Sequence, residues 1–163
     1  MTVAVRKLQP GDDAVAAGKV VQETYLQLPD YPSDDEYDAA LAAVSDRAVN
    51  SDIVVAVDGD RIVGCLTYVA DHTSPDYEFS DEEGASFRYF AVSSSEQGRG
   101  VGAAMVQWCI DRARSDGKKR LRIHTLESMP AAQRLYERIG FRRDPKNDEN
   151  WDGIKGIAYV LDC

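Results

Sequence analysis

The chain has 163 residues, 44% of them hydrophobic and 29% charged, with a formal net charge of -9. That length builds one full hydrophobic core rather than two, so residues 1–163 are expected to form a single domain. The acidity disfavours binding to a phosphate backbone, no apolar run approaches the roughly 20 residues of a membrane span, and the first residues lack a signal pattern, so a cytoplasmic protein with neither nucleic acid nor membrane as partner is expected.

Residues 3–8 read as a short strand. Asp12 or Asp13 then caps a helix whose apolar side is Ala17, Val20, Val21, Thr24, Tyr25 and Leu28. Pro29 and Pro32 interrupt it, and Ser33-Asp34-Asp35-Glu36 has the capping-box pattern that opens a second helix through Tyr37, Ala40, Leu41, Val44 and Ala48. Residues 53–57 and 61–69 are rich in β-branched residues, and Asp58-Gly59-Asp60 between them has the composition of a hairpin turn. Residues 71–83 are polar and acidic, contain Pro75 and read as a loop, which makes Glu78, Glu82 and Glu83 solvated carboxylates.

Residues 87–92 form the next strand. A Gly-rich segment then opens a helix running to about Asp116, with Val101, Met105, Trp108, Cys109 and Ala113 facing inward. Gly117 stops it, and Leu121, Ile123 and Thr125 alternate with Arg120, Arg122 and His124 as a half-exposed strand. Ala132, Leu135, Tyr136 and Ile139 recur at helical spacing before Gly140. Residues 144–153 are polar enough for a long surface loop, and a last strand covers residues 156–161. The three cysteines, Cys65, Cys109 and Cys163, are odd in number and far apart, which points to no disulfide framework and no metal motif.

The chemistry concentrates where a strand passes through Gln97-Gly98-Arg99-Gly100-Val101-Gly102-Ala103 into a helix. Glycines let main chain approach a ligand, and the first N–H groups of a helix have no partners within it, so an anionic phosphate fits beyond the helix start. Arg99 adds a charge at the same place. The glycines also suit a plain tight turn. Gly98, Gly100 and Ala103 with Glu127 satisfy a dinucleotide fingerprint as well, yet that fold needs its fingerprint early and several strand-helix units after it, and only about a third of the chain follows.

The segment resembles the GNAT acetyltransferase family, whose Q/R-x-x-G-x-G/A loop after the fourth strand binds the acetyl-CoA pyrophosphate. Residues Ala132-Gln133-Arg134-Leu135-Tyr136-Glu137-Arg138-Ile139-Gly140-Phe141 look like the same family's A-x-x-L-Y-E-x-x-G-F helix. The resemblance implies an α+β fold (mixed α/β), with a twisted, largely antiparallel mixed sheet of about six to seven strands flanked by about four helices. It implies acetyl transfer from acetyl-CoA to a primary amine by direct attack on the thioester, without a metal. A non-catalytic acyl-CoA sensor and a nicotinamide oxidoreductase are the alternatives. A homodimer is left open, and the amine, a small molecule or a peptide, is not named by the sequence.

Residue by residue, the resemblance implies that Phe90, Ala91 and Val92 meet the pantetheine arm. Gln97, Gly98, Arg99, Gly100, Val101, Gly102 and Ala103 hold the pyrophosphate. Tyr136 faces the acetyl sulfur, where a phenol can protonate the leaving thiolate. Many members carry Asn where this chain has Met129, which can still pack beside the pantetheine arm. Glu83 stands where members often place an acidic base, and Tyr25, Tyr31 and Tyr37, with Asp30 and Asp34, border the expected acceptor groove. Those tyrosines serve equally well as core-edge residues, and Trp151 either caps the acceptor site or anchors its loop. His72 and His124 stand alone in the sequence.

Overall fold

A computed structural model describes residues 3–29 and 35–163. Its fold class is the expected one, with two short strands added. Eight strands form one sheet in the order β1-β2-β3-β4-β5-β8-β6, with β7 paired to β8. They are β1 (Ala4–Lys7), β2 (Asp52–Asp58), β3 (Arg61–Val69), β4 (Gly84–Val92), β5 (Arg120–Leu126), β6 (Arg142–Arg143), β7 (Glu149–Trp151) and β8 (Ile154–Asp162). Five helices flank them: α1 (Ala14–Leu26), α2 (Asp35–Ala42), α3 (Val44–Arg47), α4 (Val101–Ser115) and α5 (Pro130–Ile139). Every strand pair is antiparallel except β4 with β5. A dinucleotide fold is built on a parallel sheet, so that alternative is corrected here.

The side-chain alternation of β2 sorts the core onto the two faces of the sheet. Val54 and Ala56 pack with Met105, Cys109 and Ile110 of α4 and Tyr136 of α5. Ile53 and Val55 pack with Ala17 and Val21 of α1, Leu41 of α2 and Val44 of α3. A strand buried on both faces reads as the continuous apolar run Ile53-Val54-Val55-Ala56-Val57 rather than an alternation.

Asp13 caps α1 as its sequence suggests, accepting a hydrogen bond from the Ala16 amide at 3.0 Å. The single second helix expected through Ala48 is instead broken at Ala43 into α2 and α3. Arg47 supplies the reason. Its guanidinium donates to the carbonyls of Ala40 and Leu41, taking acceptors that a continuing helix would have bonded to its own amides. The proposed cap at Ser33 and Asp34, together with Asp30 and Tyr31, lies outside the described residues.

The long loop expected over residues 144–153 is also corrected. It contains β7, joined to β8 by a two-residue hairpin at Asp152 (φ 54°) and Gly153 (φ 91°). Positive φ at both turn residues is what a tight hairpin of this hand requires, and Asp-Gly is among its preferred sequences.

Two features of β4 open the sheet. Its pairing with β5 covers only Gly84↔Arg120, Ala85↔Leu121 and Ser86↔Arg122, after which the two strands part. Against β3, two steps from Cys65 to Thr67 are matched by three from Ala91 to Arg88, so β4 carries a bulge with Tyr89 at φ 53°. A bulge re-aims side chains next to a cleft. The Tyr89 ring lies between two guanidiniums, Arg47 at 4.1 Å and Arg88 at 4.4 Å from its centroid.

Candidate active site

The parting of β4 from β5 leaves a cleft of about 670 Å³, within the range of small-molecule sites. One side of it is the mouth of α4. Gly98 (φ 82°) and Gly100 (φ 83°) take the left-handed conformation that turns the chain from β4 into the helix, and no side chain caps Gly100. The first amides of α4 therefore keep their donor capacity and the positive end of the helix dipole. At Gly102 a Cβ would lie 3.4 Å from Leu135 and Phe90, so glycine is what allows α4, β4 and α5 to converge there. The loop is tied down twice: Nε2 of the Gln97 side chain donates to the Val92 carbonyl at 3.0 Å, and the nearly buried Glu96 carboxylate holds Arg61 at 2.6 Å.

Tyr136 lines the same cleft although only 2% of it is exposed. Its ring packs among Phe87, Phe141 and Tyr159. Burial pushes its phenol well above the usual tyrosine value, with smaller contributions from Tyr25 and Cys109. A phenol so placed stays protonated at any physiological pH and acts as a donor, not a base.

The other end of the cleft is aromatic and charged, lined by Tyr25, Tyr37, Tyr89, Trp151, Arg88, Glu78 and His124. Burial raises the Tyr25 phenol and, with a contribution from Tyr89, pushes Tyr37 up to about 12, so both are neutral donors. The Glu78 carboxylate lies 3.7 Å from both the Arg88 guanidinium and Nδ1 of His124, charge contacts rather than hydrogen bonds. Burial disfavours the charged form of His124. The Glu78 carboxylate and the Asn147 carbonyl outweigh that, and the imidazole is raised above its ordinary value. Phe79 stacks on the imidazole at 4.3 Å and Trp151 meets it edge-on at 5.4 Å.

The acetyltransferase (GNAT) family profile matches residues 19–141, three-quarters of the chain. The chain belongs to that family. No curated protein matches it by sequence. Among solved structures it is similar to a protein from Pyrococcus horikoshii, at 21% identity and TM-score 0.77 over 99% of each chain. A GCN5-related N-acetyltransferase from Kribbella flavida shares 22% identity at TM-score 0.72, covering 99% of this chain and 98% of that one. A GNAT family acetyltransferase from Elizabethkingia anophelis, solved with acetyl-CoA bound, shares 17% identity at TM-score 0.66 over 99% and 98%.

Within this GNAT frame, the structure brings Phe90, Ala91, Val92, Gln97, Gly98, Gly100, Gly102, Ala103, Met129 and Tyr136 together around one cleft. Val101 instead packs into the core, and Arg99 projects outward with its guanidinium 3.8 Å from Glu96. Met129 precedes α5, its sulfur 3.9 Å from the Thr125 hydroxyl. Tyr25 and Tyr37 both line the cleft and pack on the α1–α3 core. Trp151 likewise lines the cleft while its β7 pairs with β8.

Glu83 is the residue the structure removes from the site. Its carboxylate sits on the exposed surface, paired with Lys119 at 2.7 Å, which holds it below the usual carboxylate range. The acidic loop, expected to be solvated, is partly buried instead. Asp81 accepts from Arg120 at 2.6 Å and Arg122 at 2.8 Å, and that clamp pins residues 71–83 against β5 and turns Glu78 inward. Sequence reading missed Glu78, Arg88 and His124. The available signal was the polar face Arg120, Arg122, His124 of β5, which needed a carboxylate-bearing partner.

Proposed function

We propose that this protein transfers an acetyl group from acetyl-CoA to a primary amine, the amine attacking the thioester directly. The observation that carries the reading is that an uncapped, glycine-lined helix mouth and a buried, protonated phenol open onto one cleft. The amides at the start of α4 suit the pyrophosphate, and the main chain of β4 beyond Ser86, released from β5, suits the amide-bearing pantetheine arm. Tyr136 then donates its proton to the departing thiolate. Among the described residues the free cysteines are Cys65, Cys109 and Cys163, and none lines the cleft, which favours direct transfer over a covalent acyl-enzyme. The acetyl-CoA bound to the Elizabethkingia anophelis relative supports the choice of donor.

Calorimetry with acetyl-CoA, followed by a CoA-release assay on spermidine, kanamycin, lysine and an alanine-led tripeptide, tests the reading. Saturable binding and release above the hydrolysis background are expected. Failure to bind at millimolar acetyl-CoA would reject it, and binding without release on a broad amine panel would make the protein a sensor instead.

A further inference from the structure

We infer that Glu78 takes the proton of the incoming ammonium group and that His124, packed behind it, holds that proton while the freed amine attacks. The inference deepens the acetyl-transfer reading and rests on it. An alkylammonium has a pKa near ~10 and is no nucleophile until it loses a proton, so a cleft that acetylates amines needs an acceptor for it.

The hydrogen bonding of His124 assigns its protons. The Asn147 carbonyl, 2.7 Å from Nε2, can only accept, so Nε2 carries the hydrogen and Nδ1 of the neutral ring is a bare lone pair. That Nδ1 is buried with no hydrogen-bond partner, on a side chain only 2% exposed. It faces Glu78 Oε1 at 3.7 Å, one acceptor opposite another. Most buried side-chain polar atoms have a hydrogen-bond partner, so an unpaired Nδ1 opposite a carboxylate calls for an explanation. Here the pair lacks one proton, and the stacked Phe79 and edge-on Trp151 hold the ring against turning over to exchange its nitrogens. Both Glu78 and His124 line the cleft that Tyr136 lines, and Tyr25 perturbs Tyr136 while itself being perturbed by Glu78.

The charged groups around the imidazole favour loading it. Glu78 from the acidic loop and Glu149 of β7 stabilise the imidazolium together with the Asn147 carbonyl. Arg88 of β4 lies 3.7 Å from the Glu78 carboxylate, and Arg122 of β5 is engaged by Asp81 and Asp144. In the reaction the ammonium N–H bond breaks and its proton passes to the Glu78 carboxylate and on to Nδ1. The nitrogen then bonds to the thioester carbon as the C–S bond breaks, and the Tyr136 phenol protonates the sulfur. A second proton lost from that nitrogen restores Tyr136, and His124 releases its own to solvent. One proton leaves per turnover. Glu78 is the group that meets the substrate, and His124 acts through it.

The chain has two histidines, so nitrogen-15 NMR of the imidazoles resolves His124 from His72. The neutral His124 is expected as the Nε2–H tautomer, with a titration midpoint above ~6.5 that falls in Glu78→Gln. With the best amine of the panel, kcat/KM rises with pH through that same midpoint, because below it the pair is already loaded. In Glu78→Gln and His124→Gln the rate near neutral pH drops on the order of 100-fold, and the ascending limb moves toward the amine's own pKa. A merely structural role lowers the rate by one factor at every pH. An Nδ1–H tautomer, a midpoint unmoved in Glu78→Gln, or limbs unmoved in both variants overturns the proposal. Should His124→Gln not fold, Glu78→Gln and the wild-type NMR titration decide. Acetyl-CoA calorimetry on each variant separates the two readings: a wild type that binds and turns over with an unmoved limb sinks this inference alone, whereas a wild type without binding sinks the acetyl-transfer reading and this with it.

Discussion

The two ends of the cleft are built on different principles. The glycine end, from β4 through Gly98 and Gly100 into α4, presents main-chain groups supplied by one continuous stretch of sequence. The aromatic end is assembled from side chains on α1, α2, the acidic loop, β4, β5 and β7, more than a hundred residues apart at the extremes. Main-chain recognition depends on backbone conformation and tolerates exchange of the side chains around it. Side-chain recognition depends on how distant segments are clamped together, so a change far from the cleft should reach it.

The largest expected effect probes that clamp. Asp81→Asn strands the partly buried Arg120 guanidinium, leaves Arg122 with Asp144 alone, and should destabilise the fold by about 3 kcal/mol in urea denaturation. The Asp81 carboxyl is held well below its ordinary value chiefly by Arg120, opposed by burial and helped by Arg122. Its contribution is therefore present above the ordinary carboxylate range and lost as pH falls through the depressed native value, so the variant should also flatten the acid limb of the stability curve. Amine turnover should fall with the loosened loop while acetyl-CoA affinity holds. Equal loss at both ends would erase the distinction drawn between them.

Tyr136→Phe acts where the two ends meet. Removing the proposed proton donor should lower kcat on the order of 100-fold, about 2.7 kcal/mol, with the calorimetric affinity for acetyl-CoA unchanged. Unaltered turnover would strip Tyr136 of the acid role and leave it as a core ring.

A smaller effect is expected at Gly156, where a Cβ would come within 2.6 Å of the Trp151 ring. Gly156→Ala must push that ring aside and should raise the amine KM about tenfold, or ~1.4 kcal/mol, with no change in acetyl-CoA binding. The smallest concerns the glycine end. Gly100→Ala places a side chain at φ 83° and should cost about 1 kcal/mol, seen as a Tm lower by about 3 °C. Its sharper reading is calorimetric: acetyl-CoA affinity should weaken here and stay intact in Gly156→Ala.

What could be read from the chain follows the same division. Helix spacing, the Asp58-Gly59-Asp60 hairpin and the Gly98 to Gly102 turn are local patterns, set by neighbours a few residues away, and the main helices, the β2–β3 pairing and the α4 mouth follow from them. The departures divide in the same way. The β7–β8 hairpin carried its own Asp152-Gly153 signal, whereas the break at Ala43 depended on where the Arg47 guanidinium ended up.

By itself, then, the sequence determined the order of the main strands and helices, the glycine turn into α4 and the phenol on α5, because each answers to short-range backbone geometry and periodicity. Only the tertiary structure decided that Glu83 stays on the surface with Lys119 while Glu78 turns inward, and that a lone histidine on β5 acquires a carboxylate neighbour. Those outcomes hinge on Asp81 gripping two arginines across some forty residues of chain, a long-range ionic contact that no local pattern encodes.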